Sequence, residues 1–282
     1  MSAPTSSPTS PAAPVLPSEP CNRLVATRFG PMLVNWHDHY VGAVIERYGE
    51  YSHLEVEFLL RMLRPGCVVV NTGANVGALM IPFGLAVGPT GAVLAFEPQR
   101  ELYYVLCANV ALRGWHHAFP YQMALGATRG DIKVPSLDMD VDNSFGGLQL
   151  GAESPLAELP GYKVPIKPLD DLGLKRLDLL QADVEGMELD VLRGAEDTIA
   201  RLRPALYLEA TFAAKRPALL EWLERHGYLA WWHTPPMFNP GNIAGVAENV
   251  IDPPDGVSQN WIGLHKSTGT ILDGERVTDR TI

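Results

Sequence analysis

The sequence predicts an α/β fold built on a doubly wound parallel sheet of seven strands. From residue 67 onward, short apolar runs alternate with segments of helical periodicity, the pattern of parallel strands joined by crossover helices. The first run, VVVNTGANVGALM at residues 68–80, is a strand that stops at a glycine turn and restarts as a helix. In sheets of this kind, ligands bind beyond the carboxyl ends of the strands.

Each predicted strand is a short apolar run bounded by turn residues, and each predicted helix repeats apolar residues every three or four positions. The strands cover residues 68–71, 92–96, 119–124, 177–186, 205–210, 228–232 and 260–266. The helices after the first, second, fourth and fifth strands cover residues 76–87, 100–113, 189–199 and 214–226. Residues 126–168 are rich in Gly, Pro, Asp and Ser, which is typical of a floppy loop or a functional lid.

Length and composition indicate how the chain is divided into domains. With 282 residues, of which 46% are hydrophobic and 19% charged, the chain can bury one sizeable core. Residues 1–20 are mostly Ser, Thr, Pro and Ala with no aromatic side chain, and we predict a disordered tail there. We expect a helical and extended cap over residues 21–66, in which an amphipathic helix carries Phe58 and Leu59, and one ligand-binding domain over residues 67–282.

Net charge and cysteine content indicate which partners the protein can bind and in which compartment it lies. The formal net charge is −10 and no basic run occurs, which disfavours nucleic acid as a partner. No segment approaches the ~18 consecutive apolar residues that a membrane helix needs. The three cysteines, Cys21, Cys67 and Cys107, show no CxxC spacing, which indicates a reducing compartment. We therefore expect a cytoplasmic protein that binds neither nucleic acid nor membranes and that can form a homo-oligomer.

The glycine turn differs from a dinucleotide-binding fingerprint. That fingerprint is G-x-G-x-x-G, whereas this turn has Gly73 and Gly77 with Ala74 and Asn75 between them. The missing middle glycine is the one that lets a backbone approach a pyrophosphate closely. S-adenosylmethionine carries adenosine but no phosphate, so it could bind at a turn that lacks the middle glycine.

Glu97 ends the second strand, 24 positions after Gly73. A carboxylate about 20 residues after the turn is the group that binds ribose hydroxyls in nucleotide-binding folds. Glu97 can accept hydrogen bonds from both the 2′ and the 3′ hydroxyl, which disfavours a 2′-phosphorylated ligand. The alternative is that Glu97 only solvates a strand end before Pro98; the strand–turn–helix before it favours the nucleoside role.

These residues resemble a known family. The segments VVVNTGANVG, LAFEP and NVALRG, followed by PLDDLGLKRLDLLQADVEGMELDVLRGAE, are similar to the FkbM family of S-adenosylmethionine-dependent methyltransferases. The resemblance covers residues 64–209 well and FNPGN more loosely. It implies a class I methyltransferase domain over residues 67–282, with a Rossmann-like sheet whose last strand is antiparallel. It also implies methyl transfer, mostly to hydroxyl oxygens of small molecules such as polyketides and sugars.

The resemblance also implies which residues bind the cofactor. Glu97 would hold the ribose, and Met123 and Ala124 would border the adenine. Asp183 and Glu185, in the family's D-V-E-G, would lie near the sulfonium. The turn under the methionine end would be formed by Gly73, Ala74, Asn75 and Gly77. A middle loop that would close over the cofactor or the substrate carries Asp142, Asn143 and Ser144.

Asn71 departs from the family pattern. The family has an aspartate there, next to the ammonium group of the cofactor, and asparagine keeps an acceptor oxygen but loses the charge. Hydrogen bonds to charged partners contribute about 1.5–3 kcal/mol against about 1 kcal/mol for neutral ones, so affinity would fall about tenfold. A different nucleoside, or a protein without catalytic activity, is also compatible with Asn71.

Two residues are candidates for the chemistry. Methyl transfer is an in-line displacement, so positioning is the enzyme's main contribution, and an alcohol must also lose its proton. Asp183 is the first candidate for the general base, because the predicted strand end faces the pocket. It could equally bind the methionine ammonium or cap the next helix. His233 ends a strand just before a Pro-rich insertion, which makes it the histidine with the strongest claim to catalysis.

We expect no metal. His37 and His39 flank Asp38, but this spacing without a distant third ligand is a weak signal. Asp183 and Glu209 could serve a magnesium ion only with a further acid or amide that the sequence does not locate.

The predicted function is therefore methylation of a small-molecule hydroxyl with S-adenosylmethionine. One alternative is an NAD-dependent oxidoreductase with an altered fingerprint, which the absent middle glycine and the lack of a Tyr-x-x-x-Lys set disfavour. Another is a non-catalytic S-adenosylmethionine-binding protein, which Asn71 motivates.

Overall fold

The computed structural model describes residues 21–151, 154–251, 256–279 and 281–282. The predicted tail at residues 1–20 lies outside the described residues. The strands are β1 Asn22–Thr27, β2 Gly30–Asn35, β3 Val68–Thr72, β4 Ala92–Phe96, β5 Ala118–Tyr121, β6 Ala124–Leu125, β7 Gly130–Pro135, β8 Gly161–Lys167, β9 Leu179–Ala182, β10 Ala205–Glu209, β11 Tyr228–His233 and β12 Asn260–His265. The α-helices are α1 Val41–Tyr48, α2 His53–Arg61, α3 Met80–Val87, α4 Arg100–Ala111, α5 Glu188–Arg193, α6 Glu196–Leu202 and α7 Arg216–Arg225.

Seven strands form the main sheet, in the order β11-β12-β10-β9-β3-β4-β5. β12 runs antiparallel to both of its neighbours, β10 and β11, and the other pairings are parallel. This arrangement confirms the predicted fold class, including the antiparallel last strand. The strand order reverses between β3 and β9, and ligands bind beside such a point in doubly wound sheets.

The sheet is buried on both faces. Val69 of β3 packs in one core cluster with Phe83 of α3, whereas the next residue, Val70, packs in a second cluster with Leu192 of α5. This alternation follows from the two-residue period of a strand. Leu59 of α2 belongs to the first cluster, so the predicted cap packs against the sheet itself. Burial of each such side chain contributes about 1.5–3 kcal/mol.

The middle segment, residues 126–168, differs from the prediction of an irregular loop. β7 and β8 pair antiparallel, and β8 also pairs with β6, giving a separate three-stranded sheet. In β7, Ile132 and Val134 are buried while Asp131 and Lys133 are exposed. The alternation is only four residues long and gains a packing surface only when β8 pairs with it, which explains why it was not predicted.

The remaining differences concern where elements begin and end. The predicted strand over residues 119–124 is divided between β5 in the main sheet and β6 in the small one. The predicted helix over residues 189–199 is divided into α5 and α6 at Gly194, where a Cβ atom would lie 2.0 Å from the carbonyl oxygen of Gly126. No described helix is long and apolar enough to cross a lipid bilayer.

Candidate functional site

The glycine turn follows β3 at the carboxyl edge of the sheet. The amides of Gly73 and Ala74 both donate to the carbonyl oxygen of Phe96, at 3.0 Å, which ties the turn to the end of β4. Gly73 has φ +77°, and a Cβ atom there would lie 1.7 Å from the carbonyl oxygen of Asp183. Only glycine can therefore occupy this position, because the turn passes directly against the end of β9.

Glu97 lies directly after β4 and is buried, with 3% of its surface exposed. Its Oε2 accepts from the amide of Asn75 at 2.8 Å, and its Oε1 accepts from the amide of Gln99 at 2.9 Å. Burial raises the pKa of Glu97 to about 7, against the lowering effect of the two amide donors. Each carboxylate oxygen has a second lone pair, so Glu97 can still accept hydrogen bonds from a ligand.

Two adjoining cavities open along this edge of the sheet. The larger has a volume of ≈ 380 Å³ and the smaller ≈ 50 Å³. Their shared wall consists of Gly73, Glu97, Gly146, Asp183 and Glu185. The glycine turn, the buried carboxylate of Glu97 and the acids Asp183 and Glu185 thus meet at one place. They come from separate parts of the chain.

The smaller cavity is mainly apolar. Its remaining wall is formed by Thr72, Pro98, Gln99, Ala124, Leu125, Leu148, Leu150, Val184 and Met187. The larger cavity has a more polar wall, in which Tyr40, Tyr51 and Glu55 come from the cap, while Met237 and Asn260 come from the C-terminal part of the chain. The two cavities therefore offer an apolar slot beside Glu97 and a polar chamber beside the acids.

Three carboxyl groups converge in the larger cavity. Oxygens of Asp183, Glu185 and Glu209 all lie within 4.8 Å of one another. The protein atoms enclosing the cavity and the nearby Glu185 raise the pKa of Asp183 well above its usual range, although its side chain is exposed at the cavity surface. Burial and Glu209 raise the pKa of Glu185 to about 8, and burial and Asp183 raise the pKa of Glu209 to about 9. The group therefore holds protons at neutral pH and becomes able to accept a proton as it ionises at neutral to weakly alkaline pH.

The same three oxygens are of the kind that could hold a divalent cation. Glu185 is the additional acid that the sequence did not locate next to Asp183 and Glu209. Oε2 of Glu209 is shielded from solvent and has no hydrogen-bond partner among the described residues. No Lys, Arg or His is among the described residues that line either cavity.

We expect Glu209→Gln to change how stability depends on pH. The folded protein keeps the proton on Glu209 up to about pH 9, whereas the unfolded chain loses it near the ordinary value of 4.5. Folding stability therefore falls as pH rises between these values, and the glutamine variant lacks this contribution. Between pH 5 and pH 9 the variant should lose about 1–3 kcal/mol less stability than the wild type, after allowance for partial solvation.

Urea unfolding at pH 5, 7 and 9 measures this effect. Glu221→Gln is the control, because Glu221 lies on α7 with 68% of its side chain exposed, far from the cavity. Equal loss of stability with rising pH in the wild type and in Glu209→Gln would contradict the assignment.

The structure brings most of the predicted site residues together. Those that line the cavities are Gly73, Ala74, Asn75, Glu97, Ala124, Ser144, Asp183 and Glu185. Those that lie outside both walls are Asn71, Gly77, Met123, Asp142, Asn143 and His233. Gly77 completes the turn, with its amide bonded to the carbonyl oxygen of Ala74 at 2.9 Å.

Asn71 points into the interior of the sheet. It is fully buried, and its Nδ2 donates to Oε1 of Gln181 on the neighbouring strand β9. Its Oδ1 has no hydrogen-bond partner among the described residues. The side chain thus has an interior role in joining β3 to β9, and its contact with a cofactor stays a prediction.

His233 lies at the end of β11, away from both cavities. Its Nδ1 is 2.8 Å from the hydroxyl of Tyr207, and the ring of Phe58 covers it at 4.2 Å between centroids. Burial lowers the pKa of His233, which favours the neutral ring. The structure gives His233 a packing and hydrogen-bonding role under α2 rather than contact with the cavity.

The histidines near residue 38 do not converge on a ligand. Asp38 is turned inward, where its Oδ1 accepts from the amides of Tyr40 and Val41 at the start of α1. His37 instead contacts Asp142, with 2.7 Å between Nδ1 and Oδ1. Asp38 thus binds the backbone at the start of α1, and His37 contacts the loop that carries Asp142.

The cap and C-terminal residues that complete the wall of the larger cavity are not predicted by any sequence pattern. Tyr40, Tyr51 and Met237 carry no local motif, and their positions depend on packing between segments far apart in the chain. Tyr40 is an example: its hydroxyl donates to Sδ of Met237 at 2.8 Å, a contact across 197 positions. No signal in the sequence identifies such a contact.

The sequence of this chain is similar to those of known proteins. The family profile described as the methyltransferase FkbM domain matches residues 71–230. Methyltransferase 1 of Beauveria bassiana is 29% identical over 146 residues, which are 46% of this chain and 58% of that protein. Methyltransferase sdnD of Sordaria araneosa is 30% identical over 161 residues, 46% of this chain and 60% of that protein. The chain thus spans less than two thirds of the length of these relatives.

Among solved structures, the methyltransferase FkbM from Methylobacillus flagellatus KT is similar to this chain with a TM-score of 0.47 and 16% identity. The match covers 74% of this chain and 50% of that one. The family profile itself spans residues 71–230, or 160 of the 282 residues, which is more than half of the chain. On that match, the protein belongs to the FkbM methyltransferase domain family.

Proposed function

We propose that this protein is an S-adenosylmethionine-dependent methyltransferase that acts on a hydroxyl group of a small molecule. The observation that carries the proposal is the position of Glu97, buried between the glycine turn and both cavities. Membership of the FkbM family and the names of the two fungal relatives support methyl transfer.

The cofactor would lie across the shared wall of the two cavities. Glu97 would bind the ribose hydroxyls, and the apolar slot lined by Leu125 and Leu148 would receive the adenine. The turn at Gly73 and the acid Asp183 would face the methionine end. Bound there, S-adenosylmethionine supplies an activated methyl group on a positively charged sulfur, and the acidic wall favours that charge.

The acceptor would occupy the larger cavity. Its volume of ≈ 380 Å³ is in the range of small-molecule sites, and its wall carries hydroxyl, amide and carboxyl groups suited to a hydroxylated ligand. The clustered carboxyls have raised pKa values, so one of them, once ionised at neutral to weakly alkaline pH, is a stronger base than an ordinary carboxylate and can take the hydroxyl proton. Asp183, which borders both cavities, is the residue we assign to this step.

Calorimetric titration with S-adenosylhomocysteine tests the proposal. We expect a dissociation constant in the micromolar range, with no binding of NAD⁺ measured in parallel. Titrations with and without Mg²⁺ show whether a cation bound by Asp183, Glu185 and Glu209 changes the affinity for S-adenosylhomocysteine. Binding of NAD⁺ alone would replace the methyltransferase proposal with an oxidoreductase, and binding of neither compound would refute it.

A further inference from the structure

A segment before the family-matched region contacts the loop above the cofactor site. We call residues 36–41 the strap and residues 142–147 the roof loop. Asp38 and Asn143 form a parallel β-bridge between them. The amide of Asn143 donates to the carbonyl oxygen of His37 at 3.0 Å, and the amide of His39 donates to the carbonyl oxygen of Asn143 at 3.1 Å. The strap thus holds the roof loop through its backbone.

Side chains reinforce this contact at its solvent-facing end. Nδ1 of His37 lies 2.7 Å from Oδ1 of Asp142, in a pair where 76% of the Asp142 side chain is exposed. Just before the strap, Nδ2 of Asn35 donates to the carbonyl oxygen of Met139 at 2.9 Å. Asn35 is buried, whereas the His37–Asp142 contact is exposed on the Asp142 side and breaks at low cost because water replaces it.

The opposite side of the roof loop is anchored in the core. Phe145 is fully buried, and its carbonyl oxygen accepts from Nε2 of Gln99 at 2.7 Å. Gly146 then passes so close to the glycine turn that a Cβ atom there would lie 2.7 Å from Nδ2 of Asn75 and 3.5 Å from Val41. The loop is therefore anchored in the core on its inner side and attached to the strap on its outer side by the Asp38–Asn143 bridge and the His37–Asp142 contact.

Both segments lie over the proposed cofactor site. Tyr40 and Val41 of the strap and Ser144 and Gly146 of the roof loop line the larger cavity together with the glycine turn. The smaller cavity beneath Gly146 measures ≈ 50 Å³. An engineered apolar cavity that binds benzene measures about 150 Å³, so outward movement of this wall would enlarge the space for an adenine ring.

We propose that the strap and the roof loop form a gate, and that S-adenosylmethionine enters and leaves only when the two segments separate. This inference rests on the proposed function. It gives a role in cofactor exchange to the strap, a segment outside residues 71–230. Movement of such loops takes place in microseconds to milliseconds and often limits turnover.

A reversible cross-link tests the gate. The variant His37→Cys/Asp142→Cys replaces the bonded side-chain pair with two cysteines, whose backbones lie next to the Asp38–Asn143 bridge. Cys21 is half-buried and close to Asp140, so all proteins in the experiment carry Cys21→Ser to prevent mispairing. Stopped-flow measurement with S-adenosylhomocysteine then gives the association and dissociation rates before and after oxidation with glutathione disulfide.

In the oxidised double variant we expect both rates to fall at least 100-fold, and reduction with dithiothreitol should restore them. Each single-cysteine variant breaks the His37–Asp142 contact without adding a covalent bond, so it should exchange the compound at least as fast as the Cys21→Ser parent, before and after oxidation. A cross-linked protein that exchanges S-adenosylhomocysteine as fast as the reduced protein would overturn the gate alone. Failure of the two cysteines to pair would contradict the contact itself. Absence of binding in the parent would refute the proposed function and the gate with it.

Discussion

Replacement of Asp183 with Asn is expected to lower the rate of methyl transfer by about 10²–10⁴-fold with the fold intact. Asp183 lines both cavities, and its carboxyl group is one of the three whose pKa values the enclosing protein and mutual repulsion raise. Asparagine keeps the size of the side chain but cannot accept the hydroxyl proton. The rate is measured as release of S-adenosylhomocysteine with a panel of hydroxylated acceptors.

Two further measurements separate a base from a cofactor ligand. If Asp183 acts as the base, the dissociation constant of S-adenosylhomocysteine should change less than tenfold in Asp183→Asn. A larger change in affinity with an unchanged maximal rate would assign Asp183 to the methionine ammonium instead. The control is Asp190→Asn on α5, where 47% of the side chain is exposed and the partner is Arg193. This control should retain wild-type rates.

The pH dependence of the wild-type rate should reflect the same carboxyl cluster. The base must be unprotonated to act, so the rate should rise with pH through the range in which the cluster titrates. The pKa of Glu185 is raised to about 8 and that of Glu209 to about 9, which places the rise at neutral to weakly alkaline pH. A rate that is already constant from pH 6 upward would exclude this cluster as the base.

Glu97→Ala is expected to raise the dissociation constant of S-adenosylhomocysteine at least 100-fold. Hydrogen bonds to a charged acceptor contribute about 1.5–3 kcal/mol each, and two ribose hydroxyls would lose theirs. The substitution also removes the acceptor of the Asn75 and Gln99 amides, so the glycine turn loses a support. The expected cost in folding stability is about 1–3 kcal/mol for each amide left unpaired.

Calorimetry and urea unfolding measure the two effects of Glu97→Ala separately. Glu97→Gln is the matched control, because it keeps the size and one acceptor oxygen but loses the charge. We expect it to retain a larger part of the folding stability than of the cofactor affinity. Unchanged affinity in Glu97→Ala, in a folded protein, would remove Glu97 from the binding site.

The sequence was sufficient for the main sheet and for one half of the site. The strands around Val69, Leu94 and Leu180 are continuous apolar runs because parallel strands are buried on both faces. Their order along the chain then places every carboxyl end at one edge. This rule was enough to bring Gly73, Glu97 and Asp183 together, since each directly follows or ends a strand.

Local sequence is less informative where a side chain can point to either face of a strand. Asn71 and Thr72 are adjacent in β3, so they face opposite sides of the sheet, and only Thr72 lines a cavity. His233 ends a strand at the expected edge, but its ring turns towards Tyr207 under α2. A shift of one residue in register exchanges the two faces, and local sequence does not resolve it.

The sequence by itself determined the strand–turn–helix unit and the family to which the chain belongs, because both depend on residues that are close together along the chain. Only the tertiary structure decided which residues line the larger cavity and how the roof loop is held. Tyr40 meets Met237, and His37 meets Asp142, across 197 and 105 positions. Such contacts form when separate segments pack on a common core, and the free energy that selects them comes from burial of the whole surface rather than from any local pattern.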